Sequence, residues 1–274
     1  MSLLVAISGR WQSIIASDSR AVSEIDGSVA TDQTVKLIQC GETSICGVVG
    51  SAAFIDSAGR YIPTADRIDE MVRLGRLQDE PQKILEAIRA DVGPCLTDGF
   101  SKLPWDKKTV PFGAFVLRRN VSRMTLLDLA FQADETGTIR NPGIKPRFDG
   151  PPSKIFAYAS GRGDCLSQDL IRQLNPDLCD EAVINQIEML FSDAAANEKA
   201  ENSIGGPVDI AAIGSGAVRW LRRKEKGADT RLCLSKFFIA IRTAFACAGK
   251  STILVSVASP RTSISDALFE PMGL

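Results

Sequence analysis

The chain has 274 residues, 45% of them hydrophobic, enough to bury one substantial core with an appendage. Lys and Arg number 32 against 33 Asp and Glu, a formal charge of −1 that argues against a nucleic-acid or anionic-membrane partner. Histidine is absent, which removes Ser-His-Asp triads, Cys-His pairs and histidine metal sites; a general base near neutral pH has to be a carboxylate, a lysine or an α-amine.

In chain order, residues 2–8 and 11–17 read as two strands around "GR". "TVKLIQC" and "TSICGVVG" pair around Gly41-Glu42. "SAAFIDSAGRYI", "ADRIDEMVRLGRL" and "PQKILEAIRADV" carry a 3.6-residue apolar period and read as helix. "PFGAFVLRR" and "RMTLLDLAF" are a third strand pair across Asn120–Ser122, followed by the turn-rich "NPGIKPRFDGPPS" and a strand, "KIFAYAS". Two helices, roughly 163–174 and 178–198, precede a last strand pair, "VDIAAIGSGAVRWLRR". This order predicts an α+β domain over residues 1–229, with helices packed on antiparallel sheets. "RRKEKGAD", 222–229, reads as a charged hinge to a C-terminal extension at 230–274.

Cys40, Cys46, Cys95, Cys165, Cys179, Cys233 and Cys247 are odd in number and form no CxxC pair. They read as small core residues, and no disulfide framework, metal or cofactor is expected. "LLVAI" is too short for a signal segment, and "KFFIAIRTAFACAGK" carries Arg242 at its middle, so a soluble cytoplasmic protein is expected. "AFACAGKST" resembles a phosphate loop but lacks its first glycine and has helix and strand in the wrong order. "GRGDCL" and "GSGAV" lack the third glycine of a dinucleotide loop and read as turns.

The N-terminal third carries the chemistry. Removal of Met1, which a small second residue favours, would leave Ser2 with a hydroxyl and a free α-amine. Such an amine titrates near 7.7–8.0, against roughly 10.4 for lysine, and can act as base for a neighbouring hydroxyl. The first hairpin returns Asp18 to the level of Ser2, and Lys36 opens the next strand. Gly50 ends "ICGVVG" just before an expected helix, where its N–H could receive an oxyanion. The plainer alternative makes Asp18 and Arg20 a local ion pair and Lys36 a surface lysine.

"SLLVAISG…IIASDSRA", "DQTVKLI" and "GVVGSAA" resemble the opening of proteasome β subunits and their bacterial relatives, which are N-terminal-nucleophile hydrolases. "PFGAFVLRR", "YASGRGDCLSQDL" and "SIGGPVDIAAI" resemble that family's later strands and Ser-Gly turn; "GGPVDI" is nearest the bacterial ancestral-β-subunit branch. The resemblance, over about residues 2–225, implies a four-layer αββα sandwich and hydrolysis of peptide or amide bonds. It implies Ser2 as nucleophile, Asp18 and Lys36 as its charged pair, Gly50 at the oxyanion, and Ser160, Gly161, Glu201 and Ser203 in support. Arg20 would brace Asp18 or the following turn. A peptide or unfolded-protein substrate and a homo-oligomeric ring are further implications; whether an ATPase partner feeds it is not readable from the sequence. The rivals are a catalytically silent ring or scaffold subunit and a small-molecule amidase. The chain departs from the family in having serine for threonine, no propeptide, Glu201 for aspartate, and either Ser203 or Ile204 at the supporting-serine position. It also has roughly thirty extra residues between Lys36 and Ser160.

Overall fold

The computed structural model describes residues 2–22, 28–50, 53–55, 61–77, 79–100, 112–133, 139–140, 143–214 and 216–224. The proposed extension at 230–274, "AFACAGKST" within it, and most of the hinge lie outside these residues. Strands β1 (Leu3–Ser8) and β2 (Ser13–Ser17) form the first hairpin, followed by β3 (Ala21–Val22), β4 (Val29–Thr31), β5 (Leu37–Gln39) and β6 (Ser44–Gly50). β7 (Ala53–Ile55) and β8 (Tyr61–Pro63) lead into helices α1 (Thr64–Arg73) and α2 (Pro81–Phe100). Next come β9 (Phe112–Arg119), β10 (Met124–Ala133), β11 (Ile139–Arg140), β12 (Lys145–Gly150) and β13 (Phe156–Gly161). Helices α3 (Gln168–Gln173) and α4 (Asp180–Ala196) precede β14 (Asp209–Ile213) and β15 (Val218–Arg222).

Two antiparallel sheets face each other. One is five-stranded in the order β13-β1-β2-β14-β15; the other is six-stranded in the order β11-β10-β9-β6-β5, with β12 on β10. Side chains alternate across a strand, so each sheet supplies two cores. Leu4, Ala6 and Ile15 of the first sheet meet Ile45, Phe115, Leu117 and Leu126 of the second. Leu3, Val5 and Ile7 point the other way, onto Val183, Ile187, Leu190 and Phe191 of α4. On the far side, Cys46, Val48, Val116 and Leu129 pack on Ile68 of α1 and Ile84, Leu85, Ile88 and Val92 of α2. The result is the expected four-layer αββα sandwich. It explains why "SLLVAIS" reads as an unbroken apolar run: both faces of β1 are covered.

Three segments differ from their sequence reading. The described residues of "SAAFIDSAGRYI" are not helical. They belong to β7 and β8, paired antiparallel, because a short apolar run has no length with which to favour helix over strand. The turn-rich stretch after β11 contains a true strand, β12, on the edge of β10. The helix read at 163–174 splits into a 3₁₀ turn, Gly163–Cys165, and α3, because Ser167 stops the chain and its Oγ accepts from Leu170 N at 3.4 Å. "GRGDCL" covers that 3₁₀ turn, and the described residues of "GSGAV" lie between β14 and β15 and at the start of β15. Among the described residues no helix is long and apolar enough to cross a membrane.

Candidate active site

The polar residues that end β2 are buried, Asp18 at 1% exposure and Ser19 at 0%. Every one of their polar groups meets a defined partner, as burial demands. Asp18 Oδ1 accepts from Lys36 Nζ at 2.8 Å and from Leu3 N at 3.0 Å. Its second oxygen accepts from the backbone N–H groups of Arg20 (3.2 Å) and Gly205 (3.4 Å). Ser19 Oγ lies 2.7 Å from the carbonyl oxygens of both Asp32 and Pro207. The Asp-Ser-Arg element therefore clamps three segments, 18–20, 32–36 and 205–207.

Lys36 is 3% exposed. Besides Asp18, its ammonium donates to the carbonyl of Arg20 at 2.7 Å. Burial pushes the lysine below its ordinary range, opposed by the Asp18 carboxylate. It is not a surface lysine. Nor do Asp18 and Arg20 pair through their charges. The Arg20 guanidinium instead forms a two-pronged bond with Asp32, Nε at 2.7 Å and Nη2 at 3.0 Å. The same side chain reaches the carbonyls of Asn202 and Ile204 at 3.4 Å. This pair holds the Asp32 carboxyl below the usual range and raises Arg20. The Arg20 side chain thus braces the loop that delivers Lys36, while its backbone N–H holds Asp18.

Ser2 is 3% exposed and is gripped on both sides of its peptide. Leu3 N is held by Asp18, and Ser2 O accepts from Arg162 N at 2.9 Å. Ser160 pairs with Leu4 and Gly161 with Leu3 across β13 and β1, so the Ser-Gly turn closes beside Ser2. Gly161 has φ +77°, and a Cβ there would lie 1.8 Å from Ser2 O. Only glycine fits. On the facing sheet, Val48 N donates to Lys36 O at 2.9 Å, which places Gly50 at the same end of the sandwich. Gly50 closes β6 with φ +85°, and the next described element is a strand, not the expected helix.

Glu201 and Ser203 lie in the segment that leads to Gly205, whose N–H bonds Asp18. Glu201 is exposed in a left-handed conformation, φ 48°, where it caps the 3₁₀ turn Glu198–Ala200. Ser203 is 3% exposed, but its hydroxyl and its N–H both turn back to the carbonyl of Ala200. Ile204, the other register choice, is a core residue at 2% exposure.

Sequence reasoning missed a second buried pair at the same end. Asp209 opens β14 opposite Ser17, and Lys224, read as part of a charged hinge, lies 3.3 Å from it. The hairpin signal in "VDIAAIGSGAVRWLRR" held the clue, since β15 returns alongside β14 and carries Lys224 back to Asp209. Asp32 and Arg162 were also missed. Neither has a local pattern that names its partner. Among the described residues, no group of three or more His, Cys, Asp or Glu is arranged to hold a metal ion.

The layers and strand pairing define a mixed α+β sandwich of antiparallel sheets. Among solved structures, the chain is similar to a mutant of Anbu from Hyphomicrobium sp. strain MC1, with a TM-score of 0.47 and 16% sequence identity. That alignment covers 92% of this chain and 100% of the other. The sequence matches no protein-family model and none of the curated proteins with which it was compared.

Proposed function

We propose that the chain is an N-terminal-nucleophile hydrolase of peptide or amide bonds, with Ser2 as nucleophile after removal of Met1. The observation that carries this reading is the shared oxygen of Asp18. One carboxylate oxygen joins the Lys36 ammonium, at 2.8 Å, to the peptide nitrogen following Ser2, at 3.0 Å. In the proposed reaction Ser2 Oγ attacks the substrate carbonyl and passes its proton, through water, to its own α-amine. The oxyanion is received by the Gly50 N–H, and Lys36 balances the developing charge. The amine then gives the proton to the leaving nitrogen as the C–N bond breaks. Water attacks the resulting ester, its proton goes to the same amine, and Ser2 Oγ takes a proton back as the acid departs. A peptide or unfolded-protein substrate and assembly into a homo-oligomeric ring belong to the same proposal.

A second reading, a catalytically silent ring or scaffold subunit, is favoured by one group of facts. Ser2 is nearly enclosed, the Ser203 hydroxyl is turned to Ala200, and Glu201 faces solvent. Intact mass, N-terminal sequencing and a fluorogenic-peptide assay separate the two. A free Ser2 amine with hydrolysis abolished by N-terminal acetylation supports the hydrolase. A retained Met1 or a fully acetylated amine, with no turnover, sinks it. Light scattering at micromolar concentration decides the ring: a strict monomer that cleaves small amides would point to an amidase instead.

A further inference from the structure

We infer that Lys224 is a positioning residue for Lys36, and that the two lysines work with Asp18 and Asp209 as one buried four-charge cluster. The side chains of Lys224 and Asp209 are 4% and 3% exposed, and those of Lys36 and Asp18 are 3% and 0% exposed. Four segments contribute: the end of β2, the approach to β5, the start of β14 and the exit from β15.

Lys224 is held twice by Asp209, through Nζ to Oδ2 at 3.3 Å and through its backbone N–H to Oδ1 at 2.9 Å. Asp209 itself is fixed beside Ser17, one residue before Asp18. From there the Lys224 ammonium donates to the carbonyl of Thr34. The N–H of Thr34 donates to Ser19 O at 2.9 Å. The Thr34 residue is thus gripped at both backbone polar groups, two positions before Lys36. Lys224 fixes the approach from which Lys36 reaches Asp18, and it feels the Lys36 charge in a water-poor interior, while Lys36 itself is acted on by Asp18, Asp32 and Arg20. There a like charge disfavours each ammonium form. Burial is the main cause that lowers Lys224, to about 8; the Lys36 charge lowers it further, while Asp209 and Asp18 oppose.

The consequence for turnover rests on Ser2 being the nucleophile, whereas the cluster stands without it. The test is a pH titration of the full chain labelled with ¹³C at the lysine ε-carbons and followed by NMR. Wild type, Lys224→Met, Lys224→Gln and Lys36→Met are compared, with resonances assigned by their loss. Lys224 is expected to titrate near 8. Lys224 should titrate about half a unit or more higher in Lys36→Met, because the charge that lowers it is gone, and the Lys36 curve should move in Lys224→Met, because Thr34 O loses its charged donor. Lys224→Gln, which keeps a donor for Thr34 O without the charge, guards against loss of the fold in the methionine variant. A Lys224 carbon titrating near the ordinary 10.4 or so, or a Lys36 curve unmoved in a folded variant, overturns the inference. Peptide hydrolysis is read in parallel. A pH–rate profile displaced in Lys224→Gln extends the cluster to catalysis; no hydrolysis by any protein counts against Ser2 as nucleophile, while the carbon titration still decides the cluster.

Discussion

The first hairpin carries a buried cation site at each end, and the two are built on different principles. At its turn, Arg119 is 3% exposed; its hydrogen bonds go to neutral acceptors, and the Asp177 carboxylate acts on it only through its charge. Nη1 reaches Ser8 Oγ at 3.2 Å, Gly9 O at 3.0 Å and Ser13 Oγ at 3.1 Å, while Nη2 reaches Arg10 O at 2.6 Å. At the Ser2 end, by contrast, Lys36 and Lys224 each face an aspartate. Burial lowers Arg119 too, but guanidinium starts so high that it stays charged through any pH at which the protein folds. The turn end is a staple with one state. The Ser2 end holds lysines that burial brings toward neutrality, so it can change state.

The strongest test of this contrast is activity. Lys36→Ala should lower peptide kcat/KM by about 1,000-fold or more, whereas Arg119→Met, compared at a temperature where it is folded, should leave it within about threefold. Equal losses would erase the distinction between the two ends. Next in size is stability. Arg119→Met strands the carbonyls of Gly9 and Arg10 and should cost about 3 kcal/mol in urea unfolding, by the same amount at pH 6 and pH 9. A pH-dependent loss would show that the turn end also titrates.

Gly161→Ala should cost about 2 kcal/mol, because a side chain there collides with Ser2 O and the positive φ disfavours it. The smallest effect sharpens the comparison most. Lys224 is lowered to about 8 from 10.5, so above pH 8 the folded protein releases a proton that the unfolded chain keeps. The charge penalty is then present in full below about pH 8 and is relieved as pH rises toward 10.5. Between pH 7.5 and 9, wild type should gain about 1 kcal/mol relative to Lys224→Met. A difference that is flat or falls over this interval would place the group's proton elsewhere.

Much of the fold was legible because the sheets are covered on both faces, so unbroken apolar runs mark strands wherever turns bound them. β7 and β8 escaped because three-residue strands have no period to detect. Of the site, Asp18 was legible because it interrupts an apolar run, where a lone charge would be untenable, and Lys36 because it opens a strand that returns to the same end. The partner of Arg20 was not. Asp18 is nearer in sequence, but Asp32 meets the guanidinium because Ser19 anchors the 32–34 loop across it. Lys224 looked like one more charge in "RRKEKGAD"; only the β14–β15 register shows that it turns inward. Glu201, which the resemblance puts in support, lies exposed in a left-handed turn.

The oxygen that Asp18 divides between Lys36 and Leu3 also makes the Leu3 amide a listening post. A hydrogen bond to a carboxylate changes strength with the carboxylate's other partner, so the Leu3 N–H must respond when the lysine gives up its proton. Its backbone resonance and its exchange with deuterium should therefore trace the charge of Lys36 in the intact molecule, with no label near Ser2 and no added ligand.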